Sequence, residues 1–340
     1  MYSFRSDYTE GAHPAVMQAL CDTNLLATTG YGMDAFCDMA REKVKAAFAC
    51  PDADVHFMVG GTITNLTVIT AALRPWEAVI AAVSGHIAVH ETGAIEAAGH
   101  KVCCVDAPDG KLTPEAIRAV VMAHRTEDAE HMVFPRMVYL SDATELGTVY
   151  TKAELTAIRS TCKELGLYLY LDGARLAAAL VSKENDLTAE DLPQICDCFY
   201  VGGTKNGLLF GEAVVIVNDE PKPYFRNVIK QRGGMLAKGR LLGVQFGVFF
   251  ENELWLDMAR HAVSQAQRIQ TALREKGYAL RAVSPTNQIF PIVTNEQRDA
   301  LLQSFDFENW ETLDETHTVI RFVTSWATTD EAVNALIGAL

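Results

Sequence analysis

No Cys-x-x-Cys pair occurs in the sequence, although it holds eight cysteines: Cys21, Cys37, Cys50, Cys103, Cys104, Cys162, Cys196 and Cys198. Their scatter excludes a disulfide framework, and reduced, mostly structural thiols of a cytoplasmic protein are expected. No apolar run approaches the ~20 residues that a membrane helix requires. Met1 to Asp7 leads directly into polar sequence, so no signal peptide is expected. There is also no basic run: 29 Lys and Arg stand against 43 Asp and Glu, for a formal net charge of −14. That balance argues against nonspecific binding to nucleic acid or anionic membranes. Neither a Walker loop nor a Gly-x-Gly-x-x-Gly turn appears. His86 and His90 stand four apart beside Glu91, but a third metal ligand is lacking and no metal is expected.

What is present is ample material for a core, at 49% hydrophobic residues over 340 positions. That length favours one large and one small domain, placed here at 1–250 and 251–340. Strand-like segments at His56–Val59, Ala78–Val83, Lys101–Val105, Met137–Leu140, Leu167–Leu171, Cys198–Val201 and Ala213–Val217 alternate with helical ones. The helical segments include Thr64–Leu73, Ala88–Ala98, a helix from Thr113 to about His124, and Lys152–Leu165. Such repetition predicts an α/β fold, a mostly parallel sheet with helices on both faces. Ligands of such sheets gather beyond the carboxyl ends of the strands. From about Asn252 to Lys276 the pattern is a long amphipathic helix, followed by a small α+β unit with strand-like Phe290–Val293 and Thr318–Val323.

The residues that carry chemistry sit at those strand ends. Cys198–Val201 reads as a buried strand, a Gly-Gly-Thr turn follows, and Lys205 is the only cation between Asp197 and Gly211. Burial of an ammonium costs several kcal/mol. It also lowers the pKa, which suits a Schiff-base amine. Upstream, Tyr168–Leu171 ends on Asp172, followed by Gly173-Ala174-Arg175. Taken alone, Asp172 reads as a helix N-cap. Paired with Lys205 across a short parallel-strand interval, it reads as the acid opposite a pyridine nitrogen, the arrangement that pyridoxal phosphate (PLP) needs. Gly60-Gly61-Thr62 joins a strand to a helix and offers backbone amides to an anion, or forms a plain structural turn. His86 ends the next strand, where an imidazole lies on a heterocycle or serves only as a loop residue. Arg321 interrupts an otherwise apolar strand, where its fork calls for a carboxylate.

Together these residues resemble the L-threonine aldolases and the β-eliminating lyase group of fold-type I PLP enzymes, in the right order along essentially the whole chain. The resemblance implies a seven-stranded, fold-type I architecture, with the N-terminal segment 1–30 contributing to the site and to a subunit interface. It assigns Lys205 to the Schiff base, and Asp172 to the ring nitrogen. His86 stacks on the ring, with Glu91 at the family's acidic position. Gly60, Gly61, Thr62, Thr204 and Arg175 fall to the cofactor, and Ser6, Tyr31, Arg175 and Arg321 to the substrate, with Ser6 and the two arginines at its carboxylate. Tyr31, in Tyr31-Gly32-Met33-Asp34, belongs to a loop often supplied near a neighbouring subunit's site. The sequence departs from the pattern in three places. Thr204-Lys205-Asn206-Gly207 replaces Ser-Lys-Gly. Ser141 to Gly147 lacks the second active-site histidine. Gly233 to Gly239 offers Lys238 where an arginine would reach a neighbour's phosphate.

The implied reaction is cleavage of a β-hydroxy-α-amino acid to glycine and an aldehyde, with His86 or a water it positions as base. Implied with it is a homodimer or homotetramer with shared sites. β-Elimination or transamination on the same cofactor is the enzymatic alternative, and a catalytically silent binding protein is the other.

Overall fold

The computed structural model describes all 340 residues. The chain starts with a short strand, β1 (Tyr2–Ser3). Seven strands then build the main sheet: β2 (Asp54–Met58), β3 (Glu77–Ala82), β4 (Val102–Val105), β5 (Phe134–Ser141), β6 (Tyr168–Asp172), β7 (Cys198–Gly202) and β8 (Glu212–Ile216). Their order is β2-β8-β7-β6-β5-β3-β4. Only β8 runs antiparallel to its neighbours; the other pairs are parallel. Strands β6, β7 and β8 are buried along their whole length. That explains why they read as unbroken apolar runs: helices cover both faces of the sheet.

Alternation still sorts the side chains. Leu140, Leu171, Phe199 and Val201 enter one core, and Tyr139, Tyr170 and Tyr200 the other. The tyrosine rings stand 5.8 and 6.5 Å apart in a row across β5, β6 and β7. The helix Lys152–Leu165 has the bounds its sequence predicts, with a Thr151–Glu154 capping box and left-handed Gly166 as its stop. It buries Leu155, Ile158, Cys162 and Leu165, a 3-4-3 spacing that presents one face. Each such aliphatic residue contributes about 1.5–3 kcal/mol when fully buried.

One element differs from expectation. Ala88–Ala98 is not one helix but parts of two single turns, His86–Val89 and Ala94–Ala97. Thr92 and Gly93 between them take positive φ (52° and 67°), which no continuous helix accommodates. The break turns Glu91 back towards His86.

Beyond the helix Leu254–Glu275 lie β9 (Gln288–Ile289), β10 (Ile292–Thr294), β11 (Phe305–Asp306), β12 (Glu308–Thr312) and β13 (His317–Val323). Strand β13 pairs antiparallel with β9, β10 and β12. The first strand returns to this layer: β1 pairs parallel with β11, Tyr2 opposite Phe305. Phe4 is fully buried in the same core, against Phe305 and Phe322. Three residues further on, the chain reaches the end of β6.

Candidate active site

Two glycines allow the ends of β6 and β7 to meet. A Cβ at Gly173 would overlap the carbonyl of Tyr200, and one at Gly202 would overlap the backbone of Ala174. With neither present, the Gly202 N–H donates to the Gly173 carbonyl at 2.9 Å. Asp172 and Lys205 consequently line one cavity of about 300 Å³. A wider groove of about 1060 Å³ lies beside Phe250 and Trp255. Its charged residues Lys43 and Arg260 pair with exposed carboxylates there. No buried acid or amine converges on that groove, so the chemistry is assigned to the smaller cavity.

Asp172 is buried at 3% exposure and held by three donors. Its Oδ2 accepts from the Tyr139 hydroxyl at 2.6 Å and from Asn65 Nδ2 at 3.0 Å, and its Oδ1 from the Ala174 N–H at 3.0 Å. Asn65 Nδ2 also donates to Glu91 Oε1 at 2.7 Å. The Asn65 oxygen in turn accepts from the Tyr170 hydroxyl at 2.7 Å, which fixes the orientation of the amide. Glu91 Oε1 is 2.7 Å from His86 Nδ1. A carboxylate there fixes the tautomer, with the proton on Nδ1 and Nε2 free. One buried network therefore sets both the imidazole and the Asp172 carboxyl.

Lys205 has no ion-pair partner, and burial, then the nearby Arg175 charge, pull its amine below the ordinary lysine range. The turn before it is fastened by Glu212, which accepts from the Thr204 hydroxyl at 2.8 Å and the Gly203 N–H at 3.1 Å. Burial pushes the Glu212 carboxyl up to about 8. Arg175 forms a fork on Asp7, Nε to Oδ2 at 2.6 Å and Nη2 to Oδ1 at 3.0 Å, and Asn287 donates to the same Oδ2. Burial works against the Asp7 charge, but Arg175 and Lys205 hold its carboxyl below the usual range. Glu145 also lines the cavity. Its Oε1 accepts from the His86 N–H at 2.8 Å and the Ser141 hydroxyl at 2.7 Å.

Of the residues singled out in the sequence, Gly61, Thr62, His86, Asp172, Arg175, Thr204 and Lys205 all line this cavity. Gly60 caps the helix Gly61–Ala72 without a side-chain cap. Ser6 is buried and its hydroxyl has no protein partner. Arg321, 9% exposed, is engaged by Gln288 and Glu308 and lies 4.8 Å above the Trp310 ring. Tyr31 and Lys238 are exposed outside the cavity; the Tyr31 ring lies under Lys230 at 4.6 Å. Asp7, Asn65, Tyr139, Glu145 and Glu212 were given no role from sequence. Two of them carried a signal, Asp7 as the neighbour of Ser6 in the family's Ser-Asp pair and Tyr139 in the alternation of β5.

The donor set fits PLP. A helix N-terminus without a side-chain cap offers free amides to a phosphate. A buried acid with one lone pair unused lines the cavity with an unpartnered amine, and His86 lines it with them. Comparisons with known proteins agree. The family of beta-eliminating lyases matches residues 3–296. A low specificity L-threonine aldolase of Pseudomonas aeruginosa is 31% identical over 98% of this chain and 95% of its own length. The solved threonine aldolase of Leishmania major is 46% identical, with TM-score 0.97, covering 99% of this chain and 98% of that one. A serine palmitoyltransferase from S. paucimobilis solved with bound PLP shares the fold alone, at TM-score 0.72 and 14% identity over 100% of this chain and 85% of that one.

Proposed function

The chain belongs to the beta-eliminating lyase family, and from that premise we propose that it is a PLP-dependent carbon–carbon lyase. It cleaves a β-hydroxy-α-amino acid of the L-threonine or L-allo-threonine type to glycine and an aldehyde. Its architecture is that of fold-type I PLP enzymes. The observation that carries the reading is the convergence of Asp172, Lys205, His86 and Arg175 on one cavity.

Bound PLP supplies a pyridinium ring that takes up the electron pair of the bond broken at Cα. Lys205, with its amine pulled down by burial, is suited to hold the cofactor's carbonyl carbon. Asp172 would hold the ring nitrogen and keep it protonated, and Tyr139 and Asn65 keep Asp172 in place. The amides of Gly61 and Thr62 would take the phosphate, with Thr204 lining the same cavity. Arg175, whose Nη1 is not used by Asp7, and the unpartnered Ser6 hydroxyl receive the substrate carboxylate. Arg321, engaged by Gln288 and Glu308, lies within electrostatic reach of Arg175. Fixing the carboxylate fixes which Cα bond stands perpendicular to the ring. That choice separates aldol cleavage from elimination and transamination.

The exposed positions of Tyr31 and Lys238 support a homodimer or homotetramer in which each reaches a neighbour's site. Eight unpaired cysteines, six of them buried, support a cytoplasmic enzyme. No helix is long and apolar enough to cross a membrane.

The test is product analysis with purified protein. L-Threonine and L-allo-threonine should yield glycine and acetaldehyde, and Lys205→Ala should lose both the turnover and the visible absorption band of lysine-bound cofactor. Pyruvate-type keto acids and ammonia in place of glycine and aldehyde would refute the cleavage and favour elimination.

A further inference from the structure

We propose that Glu145 is the base that takes the β-hydroxyl proton, with Ser141 as its positioning residue. This rests on the cleavage reading above and replaces His86 in that role. The acids of the cavity can be separated by what their oxygens already do. Asp172 accepts three hydrogen bonds over its two oxygens. Glu212 spends one oxygen on Thr204 and the other on Gly203. Glu91 has a partnerless Oε2, but its side chain is fully buried behind His86 and outside the cavity lining. Glu145 alone is anchored through one oxygen, Oε1, and presents Oε2 without a protein donor. Its residue is half-buried, open to the cavity and closed to the rest of the protein.

The anchoring is unusual for a surface acid and apt for a base. A main-chain N–H and a hydroxyl hold Oε1 at normal hydrogen-bond lengths, so Oε2 cannot swing away. Several groups face Glu145 from neighbouring elements. These are Tyr139 and Ser141 on β5, Asp172 on β6, Arg175 in the turn that follows, His86 at the end of β3, and Tyr150. Arg175 feels its charge, so an amino acid bound there by its carboxylate lies within the field of Glu145. His86 keeps only Nε2 open, its Nδ1 being committed to Glu91, whereas Glu145 has a whole carboxylate oxygen open to the cavity. Burial raises the Glu145 carboxyl above the ordinary glutamate range, which makes its anion a stronger base and a usable acid on return.

The step balances simply. The substrate O–H bond breaks and its proton moves to Glu145 Oε2. The oxygen's electron pair closes the aldehyde C=O as Cα–Cβ breaks. The pair left at Cα is later met by a proton, giving glycine.

The experiment compares Glu145→Gln and Ser141→Ala with the wild-type holoenzyme. Aldehyde release, the cofactor absorption spectrum and the spectral titration with glycine are measured. Glu145→Gln should lower kcat about 10²- to 10⁴-fold, the usual contribution of a general base, while cofactor spectrum and glycine affinity stay at wild-type values. Wild-type kcat/KM should fall as pH drops through the Glu145 pKa. Ser141→Ala, by removing a bond that favours the anion, should move that limb to higher pH, and Glu145→Gln should abolish it. Cleavage by Glu145→Gln at the wild-type rate would overturn the assignment. So would loss of glycine and cofactor binding in parallel with activity, or an acid limb that ignores both substitutions. A wild type that releases no aldehyde would instead sink the reaction itself, and the base with it.

Discussion

Asn65→Ala removes an amide that donates to two buried carboxyl groups, Glu91 at 2.7 Å and Asp172 at 3.0 Å, and accepts from Tyr170 at 2.7 Å. A hydrogen bond to a charged group contributes ~1.5–3 kcal/mol, and a buried donor left unpaired costs ~1–3 kcal/mol. The gross loss is therefore ~4–9 kcal/mol by those figures. Three partners soften it. Tyr139 and the Ala174 N–H still serve Asp172, and His86 still serves Glu91. The lower end, about 4 kcal/mol, is the expected cost to the apoprotein, which leaves a typical domain of ~5–15 kcal/mol folded but weakened. Cofactor affinity should fall at least about tenfold if as little as 1.4 kcal/mol of the misorientation reaches the bound state. Denaturant unfolding of the apoprotein reads the first quantity, and absorbance titration with PLP the second. Asn65→Asp keeps the shape but sets a third carboxyl between two others, so one must bind a proton. That variant should be less stable at pH 8 than at pH 5. An Asn65→Ala protein within ~0.5 kcal/mol of wild type, the scatter of neutral surface changes, and with unchanged affinity would show that the network does not act as described.

Gly173→Ala sets a Cβ against the Tyr200 carbonyl, where no flexible side chain can yield. A loss of about 3 kcal/mol or more is expected, checked by thermal unfolding; a wild-type Tm would contradict the packing of β6 on β7. Asp142 is buried and its carboxyl is pushed up to about 7. Its folded pKa exceeds the unfolded one, so stability should decline as pH rises from ~4 to 7, by at most about 4 kcal/mol at 1.36 kcal/mol per unit. Asp142→Asn should flatten that slope in urea unfolding at pH 5 and pH 8.

Much of the site was legible because it depends on strand ends. Asp172 and Lys205 each close an apolar run, and a parallel sheet brings such ends to one edge whatever the helices do. His86 and Gly61-Thr62 follow by the same rule. What could not be read depends on side chains meeting from far apart. Asp7 reaches Arg175 across 168 positions, and nothing local marks it as a partner. Asn65 occupies the second turn of a helix, where an amide is ordinary. Glu145 was visible as a letter in the turn after β5, but the orientation of its two oxygens is decided by His86 and Ser141. The helix expected over Ala88–Ala98 failed because periodicity does not register a single left-handed pair such as Thr92-Gly93.

The placement of the first residues has a mechanical consequence. Phe4 is locked among the aromatics of the C-terminal layer, and Asp7 is clamped to the arginine at the end of β6. Three residues of chain extend at most ~11 Å, so this leash limits how far that layer can swing from the seven-stranded sheet. A wider excursion must either pull the phenylalanine from its socket or strip the arginine of its counter-ion.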